Sequence, residues 1–385
     1  MRIEELPIHD SVKAIIAKAG YDTLYPPQED AIKAGVLEGK NIVLASPTAS
    51  GKTLVAELVI LKSILEKGGK ALYLTPLRAL ASEKDADFQK YTGVEKAPGR
   101  RVRVAVTSGD YDSSDVFLAN FDIIISTNEK ADSLLRHRSP WIADISVVVA
   151  DEIHLLTEAD RGPTLEVVLT RLLKVNPGIQ VIALSATIKN ATEIGQWLSA
   201  TPITTEWRPV PLREGVHHDG QIQFKDGSSR LIPHTDTNAL FDTALDVVRE
   251  GGQVLIFAET RRSAVEMGRK ASALLRRFLP KPDRRGLENI AQRILGAGER
   301  TRLGETLAEQ VLNGVAFHHA GLAGGHRRII EEAFKAGRLK ILSATPTLAA
   351  GVNLPARTVV ISSYERYEPG YGRYPISVLE YKQFC

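Results

Sequence analysis

The sequence is short of the features that mark a secreted or membrane-embedded protein. A single cysteine, Cys385, excludes an internal disulfide framework and suits a reducing compartment. No apolar run approaches the ~18 residues that a membrane-spanning helix needs. Segment 1–10 carries acidic residues where a secretory signal has an apolar core. We therefore expect a cytoplasmic protein without a membrane segment.

An excess of charge of one sign is also lacking. The chain has 49 basic and 46 acidic residues, which gives a formal net charge of +3. This balance permits an anionic partner but does not require one, because basic residues matter for such binding only where they cluster.

What the chain does have is a series of short apolar runs rich in valine and isoleucine, several of them separated by helical patterns. Runs that are apolar throughout, rather than alternating, are typical of parallel strands covered by helices on both faces. At 385 residues, the usual domain size of roughly 100–200 residues predicts two or three domains. The runs of the first half are 41–45, 71–76, 103–109, 122–127, 146–152 and 180–187.

The sequence pattern changes after residue 200. Segment 201–220 holds three prolines and indicates an extended linker or a sheet-edge segment, and 281–310 indicates an inserted helical segment whose charges form either a solvated face or a binding patch. The peptide LSAT occurs in both halves, which is either coincidence or a sign of two copies of one α/β fold. The second series of runs is 253–260, 315–320, 339–345 and 358–363.

The stretch SPTASGKT follows the first apolar run and opens a helical pattern, which is the context of a P-loop. Backbone amides at a tight loop and a helix N-terminus form an anion site, Lys52 adds a charge for phosphates, and Thr53 offers a hydroxyl to Mg²⁺. Ser46 replaces the usual first glycine. The alternative is an ordinary strand–helix turn with an exposed lysine. The predicted nucleotide-binding residues here are Ser46, Pro47, Thr48, Ala49, Ser50, Gly51, Lys52 and Thr53.

The stretch VVVADEIH at 147–154 supplies two acids at the end of a predicted strand. Asp151 is placed to hold Mg²⁺ through water, and Glu152 to orient and deprotonate an attacking water. Taken alone, the same letters also fit a helix N-cap with an acidic first turn. The second half contains no P-loop, so the sequence predicts one catalytic nucleotide site and two sheets.

Polar clusters follow nearly every apolar run, where parallel strands end and ligands bind. Small hydroxyl residues and backbone amides there suit phosphates, and Arg78, Lys130, Arg261 and Arg262 add charge. Two sheets that present such loops to one groove would grip a single strand by its backbone. The clusters are 75–84, 107–111, 126–133, 185–187, 259–264, 318–322 and 343–356.

With these motifs in order, the chain resembles a superfamily 2 helicase of the Ski2-like group, most closely the archaeal DNA-repair helicases related to the helicase part of DNA polymerase theta. The resemblance covers essentially the whole chain. The phrases that carry it are LYPPQ, TPLRALASEK, TNEKADSL, DEIHLL, WRPVPLREGV, FHHAGL and ATPTLAAGVNLPAR.

The resemblance implies an α/β fold of two tandem RecA-like domains, 1–205 and 206–385, each a mainly parallel sheet flanked by helices. It implies a monomeric motor that uses ATP and Mg²⁺ and steps 3′ to 5′ along single-stranded or forked DNA in repair or replication restart. By the same resemblance, Gln28 would read the adenine edge, and Gly351 and Asn353 would line the cleft near the γ-phosphate. Nucleotide state would be relayed by His154, Ser185 and Thr187. Strand contacts would come from Pro76, Arg78, Thr127, Lys130, Thr260, Arg261 and Thr345.

Segment 364–376 has four tyrosines around a Pro-Gly turn and indicates a hairpin. The alternatives are packing onto a neighbouring domain and, as in the family at this position, a strand-separating pin. An aromatic side chain on such a pin can replace the stacking of an opened base pair, because stacking worth ~1–3 kcal/mol per base is comparable with the cost of opening a pair. We expect Tyr367 and Tyr371 to lie nearest the junction where the strands separate.

The last residues, 379–385, indicate the start of a helix. In the family this helix leads into a glycine–arginine-rich motif that supplies arginine fingers, followed by a winged helix and a helical bundle. We expect the 385-residue chain to be a piece of a longer enzyme that binds ATP–Mg²⁺ and single strands weakly, with little hydrolysis or unwinding.

Three other functions compete with a DNA helicase. A related RNA helicase is the first, although no residue clearly queries a 2′-hydroxyl. A non-catalytic nucleic-acid clamp is the second, and Lys52, Asp151 and Glu152 argue against it. A metal-dependent nuclease is disfavoured because His318 and His319 lack a clear carboxylate partner nearby in the sequence.

Overall fold

The computed structural model describes residues 1–109, 115–235, 238–278, 284–348, 354–368 and 372–384. The chain divides into two compact units, Met1–Pro211 and Leu212–Cys385. No helix in the described ranges is both long enough and apolar enough to cross a membrane.

The first unit is built on a parallel sheet in the order β5-β6-β2-β7-β8-β1-β9, with a small separate β3–β4 hairpin. Every neighbouring pair in the large sheet is parallel. The strands are β1 (Ile42–Ala45), β2 (Lys70–Thr75), β3 (Glu95–Ala97), β4 (Arg100–Arg101), β5 (Val104–Thr107), β6 (Ile123–Thr127), β7 (Ile145–Ala150), β8 (Gln180–Ser185) and β9 (Thr201–Thr204).

Helices cover both faces of this sheet. Alternate residues of β1 show why its apolar run is continuous: Ile42 and Leu44 belong to the core on one face, and Val43 and Ala45 to the core on the other. The helices are α1 (Asp10–Lys18), α2 (Pro26–Lys33), α3 (Lys52–Lys67), α4 (Arg78–Phe88), α5 (Asn128–Arg136), α6 (Gly162–Val175) and α7 (Ala191–Leu198).

The second unit repeats this arrangement on a smaller scale. Its parallel sheet has the order β14-β15-β13-β16, beside an antiparallel sheet β10-β11-β12 and a β17–β18 hairpin. The strands are β10 (Gly215–His218), β11 (Gln221–Phe224), β12 (Ser229–Leu231), β13 (Val254–Phe257), β14 (Val315–His318), β15 (Ile341–Ala344), β16 (Thr358–Ile361), β17 (Glu365–Glu368) and β18 (Gly372–Pro375).

Leu255 and Phe257 of β13 face one core of the second unit, and Val254 and Ile256 face the other. Its helices are α8 (Ala239–Arg249), α9 (Arg261–Phe278), α10 (Arg284–Gly296), α11 (Arg302–Val311), α12 (Gly324–Lys335) and α13 (Val378–Phe384). Single 3-10 turns complete the two units at Ile3–Glu5, Val36–Glu38, Gln89–Tyr91, Val116–Asn120, Pro140–Asp144, Ile153–Thr157 and Pro346–Leu348.

The predicted α/β fold class, with mainly parallel sheets flanked by helices, is confirmed. The division between the units falls after Pro211 rather than after residue 205. The segment that follows β9 in the sequence packs on the first unit. The Thr205 N–H donates to the Ala45 carbonyl over 3.1 Å, and the ring centroids of Trp207 and Tyr25 are 4.9 Å apart.

Candidate nucleotide site and strand-end residues

The P-loop joins β1 to the first turn of α3. Gly51 (φ +78°) and Ala49 (φ +64°) adopt the left-handed backbone conformation, which lets the loop close tightly before the helix begins at Lys52. The Ser46 hydroxyl hydrogen-bonds the Ser50 hydroxyl over 2.7 Å, and the Ser46 N–H donates to the Ser185 carbonyl over 3.1 Å. The serine that replaces the usual glycine therefore ties the loop to itself and to the end of β8.

Lys52 lies inside the loop, where its Nζ donates to the carbonyls of Ser46 (2.7 Å) and Pro47 (3.0 Å). Burial lowers the pKa of Lys52, and the nearby charges of Glu152 and Asp151 oppose that shift. The ammonium is therefore within electrostatic range of both acids. The loop lysine and the two acids at the end of β7 form one site.

Asp151 follows β7 and has a hydrogen-bond donor at each carboxylate oxygen. The Tyr73 hydroxyl donates to Oδ2 over 2.8 Å, and the Glu152 N–H donates to Oδ1 over 3.0 Å. Glu152 itself has a left-handed backbone (φ +53°), a strained conformation for this residue type that turns the chain sharply after the strand. Burial and the charge of Asp151 raise the pKa of Glu152 to about 7, against the opposing charges of Lys52 and Lys84.

His154 joins the acids to the end of β8. Its Nδ1 lies 3.3 Å from Oε2 of Glu152 and 3.4 Å from the hydroxyl of Ser185. Burial, followed by the charge of Lys52, lowers the pKa of His154 to about 4, so the ring is neutral near pH 7. Thr187 follows two residues after β8 and is half-buried. The structure thus brings two of the three predicted relay residues, His154 and Ser185, into contact beside the P-loop.

Gln28 lies beside the P-loop, and its side-chain amide is hydrogen-bonded within the protein. Its side chain is buried, its Oε1 accepts the Tyr25 N–H over 2.8 Å, and its Nε2 donates to the Gly51 carbonyl over 2.9 Å. Both ends of the amide are therefore engaged within the protein. Gln28 therefore braces the P-loop against the N-terminus of α2, and its reading of adenine stays a prediction.

Lys84 is a residue of this site that sequence reasoning did not single out. From α4 it donates a hydrogen bond to the Thr53 hydroxyl over 3.2 Å. Burial lowers the pKa of Lys84, but nearby acids, of which Asp151 has the largest effect, raise it above its usual value. A signal was present in the sequence: Lys84 lies three residues after buried Ala81 and four before buried Phe88, on the face of α4 that packs inward. A lysine on the buried face of a helix indicates a possible binding or catalytic residue.

The predicted strand contacts of the first unit fall into two groups. Arg78 is exposed at the first position of α4, whereas Pro76, two residues before it, is buried. Thr127 is buried and caps α5, its hydroxyl accepting the Lys130 N–H over 3.4 Å. The Lys130 side chain is only 3% exposed, and its Nζ lies 3.0 Å from Asp115. A direct contact between Lys130 and a phosphate would require this ion pair to open.

In the second unit, Thr260 and Arg261 are exposed where β13 leads into α9, and the Thr260 hydroxyl accepts the Ser263 N–H over 3.0 Å. Thr345 is buried just after β15, its N–H donating to the His318 carbonyl over 3.2 Å. Three of the predicted residues, Gly351, Asn353 and Tyr371, lie outside the described residues. Tyr367 lies on β17 and pairs with Arg373 of β18. The structure describes its backbone but not its side chain.

The expectation that His318 lacks a carboxylate partner was wrong. His318 Nε2 lies 2.8 Å from Oε1 of Glu331, on α12, which the sequence separation concealed. Within the described ranges, however, three or more histidine, cysteine, aspartate or glutamate side chains do not gather in a way that could hold a metal ion. The pair therefore adds no support to a nuclease site.

Comparison with known proteins agrees with this geometry. Residues 25–194 match the DEAD/DEAH box helicase family, and residues 288–372 match the helicase conserved C-terminal domain. The predicted resemblance of the chain to superfamily 2 helicases of the Ski2-like group is confirmed.

More particularly, the chain is similar to proteins named ATP-dependent DNA helicase Hel308. It is 47% identical over 385 residues to the one from Methanocella arvoryzae, covering 100% of this chain and 52% of that protein. It is 44% identical over 391 residues to the one from Caldivirga maquilingensis, covering 100% and 50%. The Thermococcus kodakarensis protein is 47% identical over 348 residues, covering 90% and 29%. The chain thus spans about half the length, or less, of these relatives.

Proposed function

We propose that the chain is the motor core of an ATP-dependent DNA helicase, with the nucleotide site in the first unit. The observation that carries the proposal is the convergence of Lys52, Asp151 and Glu152 at the carboxyl edge of one parallel sheet. That edge is where open α/β sheets bind their ligands, and the N-terminus of α3 adds the partial positive charge that favours phosphate.

The residues present fit Mg²⁺. Mg²⁺ prefers oxygen ligands and is usually held by one or two carboxylates together with nucleotide phosphates, which does not require a cage of protein ligands. Asp151 and the Thr53 hydroxyl are such oxygen donors, and each already has a hydrogen-bonding neighbour. When bound, the ion would neutralise charge on the phosphates.

The roles of the protein groups follow from their positions. Lys52 would leave its carbonyl partners to contact phosphate oxygens. Glu152, with a pKa of about 7, would take the proton of the attacking water, since a general base works best near the operating pH. His154 and Ser185 would report the state of the site through their contact with Glu152 and with Ser46.

For the nucleic acid, we propose single-stranded or forked DNA, contacted at the strand ends of each unit and followed 3′ to 5′ by a monomer. Arg78, Thr260 and Arg261 are the exposed residues of this set in the described part of the chain. The relatives' printed names specify DNA. The buried residues Thr127, Lys130 and Thr345 would act by shaping the loops that carry the contacts.

The decisive test is calorimetric titration of ATP with Mg²⁺ into the 385-residue chain. Lys52→Ala should weaken binding at least tenfold, because it removes the charge aimed at the phosphates. Lys67→Ala, at the exposed far end of the same helix, is the matched control and should bind as the wild type does. Absence of binding by the wild-type chain would end the motor proposal.

A second experiment separates DNA from RNA. Labelled single strands of matched sequence are titrated at low salt and followed by fluorescence anisotropy, with and without a non-hydrolysable ATP analogue. Tighter binding of DNA supports the proposal, and a preference for RNA favours the competing RNA helicase. The expectation of slow turnover by these 385 residues stays a prediction, and a single-turnover ATPase assay measures it.

A further inference from the structure

Tyr73 lies in the first unit, completely buried on β2, directly beside β7, the strand that Asp151 follows. The Asp151 N–H donates to the Leu74 carbonyl over 3.0 Å, so strand pairing holds the aspartate two residues beyond Val149, which lies opposite Tyr73. The Tyr73 hydroxyl then donates to Oδ2 of Asp151 over 2.8 Å, while Oδ1 accepts the Glu152 N–H. The carboxylate is held at both oxygens and has one orientation.

The Tyr73 ring packs against the ring of Phe88, which packs in turn against the ring of Tyr91. The Phe88 ring meets Tyr73 nearly edge-on with centroids 5.7 Å apart, and Tyr91 lies 6.1 Å beyond Phe88. The Tyr91 hydroxyl donates over 2.7 Å to Glu57, one helical turn after Thr53 on α3. We call Tyr73, Phe88 and Tyr91 the aromatic column.

The aromatic column thus connects the two elements that supply oxygen donors to the nucleotide site. One end hydrogen-bonds Asp151, and the other hydrogen-bonds Glu57 on the helix that carries Thr53. Rings packed in this way cannot turn the Tyr73 hydroxyl toward another partner without opening the core. The hydroxyl is therefore a fixed donor.

We propose that Tyr73 is a positioning residue for magnesium–nucleotide binding, acting through the hydrogen bond from its hydroxyl to Asp151. The inference rests on the proposed function, because it needs a magnesium–nucleotide site at Asp151. Mg²⁺ demands near-ideal ligand geometry, so a carboxylate free to rotate holds it less well. Removing a hydrogen bond behind a metal ligand typically costs ~10–100-fold in metal affinity or activity.

A buried tyrosine hydroxyl needs some partner in any protein, so a purely structural role must be separated from a positioning one. The aromatic column supplies the control. Tyr91→Phe removes the same atom from the same column, but its partner is Glu57, which the Lys90 Nζ also contacts at 3.0 Å. Both variants lose one buried hydrogen bond, and only Tyr73→Phe loses one at Asp151.

The experiment measures the affinity of a fluorescent ATP analogue for the wild type, Tyr73→Phe and Tyr91→Phe, first in EDTA and then across a magnesium titration. We expect all three to bind alike in EDTA. Tyr73→Phe should need about tenfold more Mg²⁺ than the wild type to reach half of the magnesium-dependent gain in affinity. Tyr91→Phe should match the wild type. Thermal melting of the three chains accompanies the titrations.

A wild-type magnesium dependence in Tyr73→Phe would overturn the inference, as would equal losses in the two variants. If the wild type binds no nucleotide at all, the proposed function fails first and the inference falls with it. Should Tyr73→Phe not fold, 3-fluorotyrosine at position 73 replaces it. The fluorine resonance should shift when Mg²⁺ joins the bound nucleotide, and a resonance that stays unmoved contradicts the proposal.

Discussion

Lys84 donates a hydrogen bond from its Nζ to the hydroxyl of Thr53 over 3.2 Å. The contact joins α4 to the first turn of α3. It also brings a second ammonium group to the site, beside that of Lys52 in the P-loop. Both lysines lower the pKa of Glu152 against the larger effects of burial and Asp151. Lys84 therefore sets part of the electrostatic balance of the proposed base.

Lys84→Met tests this balance. Removing a cation that favours the ionised carboxylate moves the pKa of Glu152 further above about 7, so less of the base is deprotonated at neutral pH. Single-turnover hydrolysis should fall several-fold at pH 7 and recover by pH 9. The pH profile of the rate constant measures the shift. A uniform loss at every pH would mean that Lys84 acts in some other way.

Gln28→Ala distinguishes bracing of the P-loop from reading of the base. The substitution leaves the Tyr25 N–H and the Gly51 carbonyl without their partner, which should cost about 1–3 kcal/mol of stability. Because the brace acts on the loop, ATP and GTP binding should weaken by the same factor. Competition titrations with both nucleotides give the ratio. If only the preference for ATP over GTP is lost, the result supports the prediction that Gln28 reads adenine.

His154 should make the first unit sensitive to acid. Its pKa falls from 6.5 to about 4 on folding, so the unfolded chain takes up a proton first as the pH drops. The contribution of this histidine to stability is complete above pH 6.5 and is lost as the pH falls toward 4. Relative to His154→Asn, the wild type should therefore lose about 3 kcal/mol of unfolding free energy between pH 7.5 and pH 4.

Tryptophan fluorescence measures this unfolding selectively. All three tryptophans of the chain, Trp141, Trp197 and Trp207, lie in the first unit. Urea titrations at each pH then give the free energy for the unit that contains His154. A constant difference between wild type and His154→Asn across this range would show that the ring is not buried neutral.

Arg78→Ala and Lys130→Met should separate contact with DNA from support of the fold. Arg78 is exposed, so its removal should weaken single-strand binding and change stability little. The slope of log K against log salt concentration should become smaller in magnitude by about 0.7, the value for one phosphate contact. Lys130→Met breaks a buried ion pair with Asp115 and should cost about 3 kcal/mol of stability.

Anisotropy titrations over a series of salt concentrations, together with urea unfolding, measure both effects. If Lys130→Met reduces the salt slope as Arg78→Ala does, while stability is unchanged, then Lys130 contacts a phosphate directly as the sequence predicts.

The sequence predicted the parallel sheets well because their strands are buried on both faces. The β8 run was expected at 180–187 and the strand spans Gln180–Ser185. The β3–β4 hairpin and the antiparallel β10–β12 sheet were not predicted. Their residues are largely exposed, so no apolar pattern marks them, and pairing with a neighbour determines their structure.

The candidate site shows the same division. A P-loop and a DEIH motif are local patterns, and the order of strands places them together. The engaged amide of Gln28, the Lys130–Asp115 pair and the Lys84–Thr53 contact each depend on residues far apart in the chain. Side-chain partners of this kind follow from the packed structure, and short motifs do not encode them.

Helix α4 has one more consequence. Arg78 opens it, and Lys84 follows six residues later, about 9 Å along the axis. Because a stretch of α-helix this short does not bend, Arg78 and the Lys84 that contacts the Thr53 hydroxyl keep a fixed spacing. A shift of the Thr53 hydroxyl would therefore reach Arg78 through this part of α4, within the first unit.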